Sequence, residues 1–187
     1  MTMSEDAVGF ASAVRSGAVP SGLGIRAVER VFRWSPAFFA AKTLSTALRV
    51  AGIDLGRTSL FWGLPRLTGS GDVCSRLKIG EHCGFNVNCH FELDGPITIG
   101  DHVSVGHEVM FLTRTRDTSS SAQRGVTVGA AGIEIGNGAW LGARCTILPG
   151  VKIGAGSVIG ASVVVARDVS ANVLLTGNRT VSLAKWR

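Results

Sequence analysis

An apolar residue returns every six positions through most of residues 77–166. The first set is Ile79, Phe85 and Phe91. The second, two residues late, is Ile99, Val105 and Phe111. The third follows a longer break and runs Ile135, Leu141, Ile147, Ile153, Ile159 and Val165. A second column sits two residues earlier in each six and is small or aliphatic, from Leu77 and Cys83 to Cys145 and Val163. The residue after each large apolar one adds a slower rhythm: Gly100, Gly106 and Leu112, then Gly136, Gly142 and Leu148, then Gly154, Gly160 and Ala166. The true period is therefore eighteen, made of three unlike sixes.

That pattern describes a three-sided coil with one six on each side. Amphipathic helices would need apolar residues three and four apart, not six with glycine between. Glycine at fixed places marks a backbone turn or the close approach of another backbone. A single coil cannot bury its own apolar row, so the coils must stack. Two departures break the rhythm. Asp94-Gly95 inserts two residues before Ile99. A polar, basic loop over 113–132 leaves the stack between Phe111 and Ile135, and insertions in solenoids tend to line the binding face.

Composition fits one globular domain: 45% hydrophobic and 17% charged over 187 residues. The net charge of +6 is scattered and lacks interleaved aromatics. It points to an anionic small molecule, such as a nucleotide phosphate, and away from nucleic acid. Residues 1–20 carry Glu5 and Asp6 and no long apolar run, so no signal peptide is read. Nothing approaches transmembrane length, and the expected location is the cytoplasm. Cys83, Cys89 and Cys145 fall in the inward column, where a thiol is a compact hydrophobe. No paired CxxC spacing supports a disulfide framework or a zinc site.

The expected organisation is a flexible segment 1–23, a helical cap and lead-in 24–66, the coil stack 67–178 with its loop 113–132, and a basic tail 179–187. Val28, Val31, Phe32, Phe38, Phe39, Leu44, Ala47 and Leu48 carry helical spacing, and Ser35-Pro36 reads as an N-cap with proline at the first helical position. The helical segment is expected to cap the open end of the stack. The alternative is a basic amphipathic helix in peripheral contact with a membrane.

The aliphatic-glycine turn pattern from Ile79 to Val165 resembles the hexapeptide-repeat acyltransferases, whose fold is an all-β solenoid, the left-handed parallel β-helix. The left-handed winding comes from that resemblance, because periodicity alone gives no handedness. The likeness is greatest to the maltose, galactoside and nodulation-sugar O-acetyltransferase branch and covers about residues 77–178. It implies acetyl-CoA or another acyl-CoA as co-substrate, a sugar or other small-molecule acceptor, no metal and a homotrimer. The matching acceptor-site positions are Asn86 and Asp94. The matching donor-site positions are Gly142-Ala143, Gly160-Ala161 and Arg167.

One position departs from the family. Its general base is a loop histidine in a segment like T-x-T-H, and here the segment reads Thr113-Arg114-Thr115-Arg116. Arginine stays protonated at ordinary pH and accepts no hydrogen bond, so Arg116 cannot be that base. His107 and His90 are the candidate substitutes, with Glu92, Glu108 and Asp117 as further candidates. In the tail, Val181 stands where the family has an arginine, leaving Arg179 or Lys185 for a phosphate contact. Three readings follow: an acyl-CoA-dependent O- or N-acyltransferase with an altered base and Arg116 as an anion clamp; the same scaffold turned to a different biosynthetic reaction; or an inactive family member.

Overall fold

The computed structural model describes residues 25–32, 41–117, 119, 122–177 and 179–183. The expected flexible segment 1–23, the Ser35-Pro36 cap and Lys185 lie outside these residues. Two helices, α1 (Ile25–Phe32) and α2 (Ala41–Val50), precede a stack of parallel coils. Each coil contributes one short strand to each of three sheets. Face one joins Asp54–Leu55, Leu77–Ile79, Ile97–Ile99, Ile133–Ile135 and Lys152–Ile153. Face two joins Leu60–Phe61, Gly84–Phe85, Ser104–Val105, Trp140–Leu141, Val158–Ile159 and Val173–Thr176. Face three joins Arg66–Thr68, His90–Glu92, Met110–Phe111, Thr146–Ile147 and Val164–Val165.

The register follows the repeat. Ile79 pairs with Ile99, Phe85 with Val105 and Phe91 with Phe111. The large apolar column and the small column before it both point inward and are buried, while the residue between them faces out. Phe61 stacks on Phe85 with ring centroids 4.4 Å apart, and Phe91 on Phe111 at 4.8 Å. The prism interior is thus dispersion-packed along its axis.

The stack starts earlier than position 67. Leu55, Phe61 and Leu67 pair with Ile79, Phe85 and Phe91 and complete a first coil. The sixes are present there too, but Leu67 is twelve residues from Ile79 where six would do. That insertion hides the register from a reader moving in fixed steps. Helix α2 lies on this end. Ser45 Oγ accepts from Phe61 N–H at 2.9 Å. The Arg49 guanidinium donates to the carbonyls of Leu55, Gly56, Arg57 and Ser59. These bonds satisfy backbone groups that a terminal coil would leave open. At the other end Arg179–Ser182, the start of the basic tail, runs antiparallel along Val173–Thr176.

The three edges of the prism differ. Edge one, from face one to face two, and edge two, from face two to face three, each keep six residues per coil throughout. All three insertions leave from edge three: six residues before Ile79, two before Ile99 and eighteen before Ile135. The longest forms an antiparallel hairpin, Arg114–Asp117 against Val126–Ala130.

Candidate active site

Edge two is shaped by backbone. A Cβ placed on Gly142 would lie 2.6 Å from Ala161 N and 2.7 Å from Ile159 O. No side chain fits, so glycine is what lets neighbouring coils close. The ladder continues through Gly142 N–H to Ile159 O at 2.7 Å and Ser162 N–H to Ala143 O at 2.9 Å. Among the described residues no hydrogen bond leads from the N–H of Ala143 or Ala161. Two small residues one coil apart therefore present amide donors on the same edge. His107 occupies the equivalent place one coil earlier and is exposed; its carbonyl accepts from Arg144 N–H at 2.9 Å. Asn86 is half-buried at this edge, and its side-chain oxygen accepts from Val87 N–H at 2.9 Å.

Edge three is shaped by side chains. The Asp94 carboxylate accepts from Ser70 N–H and Oγ through one oxygen and from Arg114 Nε at 2.6 Å through the other. Glu92 accepts the backbone N–H groups of Thr113 and Arg114 at 3.1 and 2.9 Å. Thr113, fully buried, donates to Glu92 O and accepts from Gly95 N–H. The Arg76 guanidinium donates to Ser70 O and Leu93 O. Ser70, Asp94 and Arg114 come from the three successive insertions, so each protrusion is fastened to the one beside it.

Charge follows this geometry. Burial pushes the Asp94 carboxyl up, but the Arg114 and Ser70 hydrogen bonds outweigh it and hold the group below its ordinary range. Asp94 is thus an anion engaged within the chain. Arg116, on the exposed side of the hairpin, donates to Gly125 O at 2.8 Å and braces the hairpin itself.

The other candidate bases are placed as follows. Asp117 accepts from Ser119 N–H, and Glu108 pairs with Arg144 at 2.7 Å. His82 and His102 stack on edge one with centroids 4.8 Å apart, away from both site edges. His90 faces outward from face three, half-buried, its Nε2 2.8 Å from Thr68 Oγ1. Burial and the nearby Arg66 push its pKa down.

The fold brings Asn86, His107, Gly142, Ala143, Gly160 and Ala161 to edge two. It brings Asp94, Arg116 and the exposed Arg167 to edge three, with face three between the two groups. Sequence reasoning missed Arg114, Thr113, Ser70 and Arg76. Two residues apart on a regular strand, Arg114 and Arg116 would share a face; the register shifts between Thr115 and Arg116, which no pattern in the sequence marks. A shallow groove on face one, lined by Thr98, Glu134, Lys152 and Asp168, touches none of the predicted site residues.

Comparison with known proteins bears on this arrangement. Residues 132–167 match the bacterial transferase hexapeptide family of six repeats. A provisionally named acetyltransferase of Schizosaccharomyces pombe is 37% identical over 115 residues, 61% of this chain and 55% of that protein. The chain spans about half the length of curated relatives such as this one. Among solved structures, a maltose O-acetyltransferase from Clostridium difficile 630 superposes with a TM-score of 0.68 at 23% identity, covering 94% of this chain and 86% of that one. A galactoside acetyltransferase in complex with coenzyme A gives 0.65 at 23%, covering 96% and 82%. At that identity the structures speak to the fold. Repeat, register and structural likeness agree: the chain folds as a left-handed parallel β-helix, and its residues 132–167 match the hexapeptide family.

Proposed function

We propose that the protein is an acyl-CoA-dependent acyltransferase. It moves an acetyl or other acyl group to a hydroxyl or amine of a sugar or small natural product. The observation that carries this reading is edge two: two amide donors, Ala143 and Ala161, one coil apart, beside Gly142, which admits no side chain, and Gly160, where a Cβ would lie 3.2 Å from Leu175 O. A pantetheine arm is a chain of amides and needs such donors, and the developing oxyanion needs one more. The relatives named as acetyltransferases and the coenzyme A complex of a protein sharing the fold support the same reading. Asn86 and Asp94 would flank the acceptor, and Arg167 would meet the nucleotide end. The site would be completed in a homotrimer, in the cytoplasm and without metal.

Arg116 sets this site apart from a loop-histidine enzyme. Its guanidinium stabilises the hairpin and would attract an anionic acceptor or donor phosphate, but cannot take a proton. That engagement also favours a second reading, in which the scaffold and donor site persist while the reaction has changed. Acetyl-CoA at millimolar concentration should raise the unfolding midpoint, since a ligand of the native state stabilises it by mass action. No shift would end the first reading. Arg116→Ala retaining donor binding but changing acceptor affinity would support the clamp.

A further inference from the structure

The reaction just proposed needs a base, and the loop position that supplies one elsewhere holds Arg116. The inference here rests on that reading. Face three is the surface shared by the two site edges: edge two carries the amide donors and edge three carries Asp94 and the hairpin. The outward residues across it, in register, are Arg66, His90, Met110, Thr146 and Val164. His90 is the ionisable one among them that can accept a proton. It lies two residues from Glu92, whose carboxylate holds the root of the hairpin.

We propose that His90 is the general base, held for that task by Thr68. The contact of 2.8 Å between Nε2 and Thr68 Oγ1 fixes the ring if Nε2–H donates to the hydroxyl oxygen. Nδ1 then keeps its lone pair, because one nitrogen's hydrogen bond sets the tautomer of the other. In the reaction Nδ1 takes the acceptor's proton as its oxygen or nitrogen attacks the thioester carbonyl. The tetrahedral intermediate collapses, the C–S bond breaks, and the departing coenzyme A thiolate receives the proton from the imidazolium. Atoms and charge balance with no redox partner.

The surroundings suit a neutral imidazole. Arg66 on the preceding coil opposes protonation, Glu92 on the same strand favours it, and Met110 on the following coil carries no charge. Burial adds to the first effect and exceeds the second. The remaining histidines differ. His82 and His102 stack on each other on edge one, and His107 is exposed on edge two.

The test measures coenzyme A release from acetyl-CoA, with water and a panel of monosaccharides and amines as acceptors. His90→Gln, which retains a hydrogen-bonding amide but cannot act as a base, should lower the rate about 100-fold or more. It should keep the acetyl-CoA midpoint shift of the wild type. Thr68→Val should lower kcat about 10-fold and blur the acid limb of the pH profile, whereas a merely structural role would leave that limb in place. His82→Gln serves as the unaffected control. The histidine ring resonance of His90 in the wild type should titrate below the ordinary range and move when acetyl-CoA is added. A His90→Gln rate within about twofold of wild type overturns the assignment, as does binding of acetyl-CoA with no release under any condition. Absence of an acetyl-CoA midpoint shift in the wild type instead removes the acyltransferase reading, and the assignment with it.

Discussion

Edges two and three are built from the same repeat and are held together by different physics. At edge two the coils meet backbone to backbone, with Gly142 closing on Ala161 and the ladder unbroken. At edge three three unequal insertions are tied by side chains: Ser70 and Arg114 to Asp94, Thr113 to Glu92, Arg76 to Leu93. At Gly142 the first arrangement admits no added atom. The second can change residue by residue while the stack beneath it stands. A scaffold of this kind can keep a donor groove on one edge and vary the acceptor side on the other.

The largest effect should come from putting a side chain into edge two. Gly142→Val places atoms within 2.6 Å of Ala161 N and must force the coils apart. A loss of about 3 kcal/mol in denaturant-induced unfolding is expected, at the upper end of overpacking costs. A loss under about 1 kcal/mol would mean that the edges do not differ as described. Thr113→Val is the counterpart on edge three. It keeps the shape but removes the hydroxyl, leaving Gly95 N–H without its acceptor in a buried place. About 2 kcal/mol is expected, the cost of one unsatisfied buried group.

This contrast also explains what was legible in the sequence. Edge two could be read because backbone packing leaves a compositional trace: glycine at Gly106, Gly142 and Gly160, with the inward columns in step. Edge three left no such trace. Asp94 and Arg116 were found by position against a known family, yet Asp94 is bonded to Arg114, two residues before the position that drew attention. Partners twenty residues apart, joined only because two loops leave one edge, have no periodic signature. The first coil is begun too late, at position 67, for a different reason. Its sixes are regular, but the insertion after Leu67 breaks the count.

Arg114→Met should separate fastening from folding. Its ion pair with Asp94 is partly exposed, so global stability should change by less than about 1 kcal/mol. The hairpin should loosen all the same. Hydrogen exchange at the amides of residues 114–117 and 126–130 should accelerate while face-two amides stay protected. Equal acceleration everywhere would show that the hairpin and the stack are one cooperative unit.

The smallest effect is a pH dependence confined to edge three. The hydrogen bonds from Arg114 and Ser70 outweigh burial and hold the Asp94 carboxyl below the ordinary carboxylate range in the folded chain, so it releases its proton more readily folded than unfolded. A depressed carboxylate contributes stability that is fully present above the unfolded pKa and lost as pH falls through the folded one. Hairpin protection should therefore stay level from neutral pH down to about 4 and decline below it, while the amides of edge two hold. The carboxyl carbon of Asp94 should report the same midpoint by NMR. Asp94→Asn keeps an acceptor for Ser70 but removes the charge that Arg114 meets, so its hairpin should be weaker at neutral pH and lack the acid decline. If the decline persists in that variant, another carboxylate fastens the hairpin. Glu92, which accepts from both Thr113 and Arg114 N–H, is then the group to replace, since its loss would open the hairpin at the root.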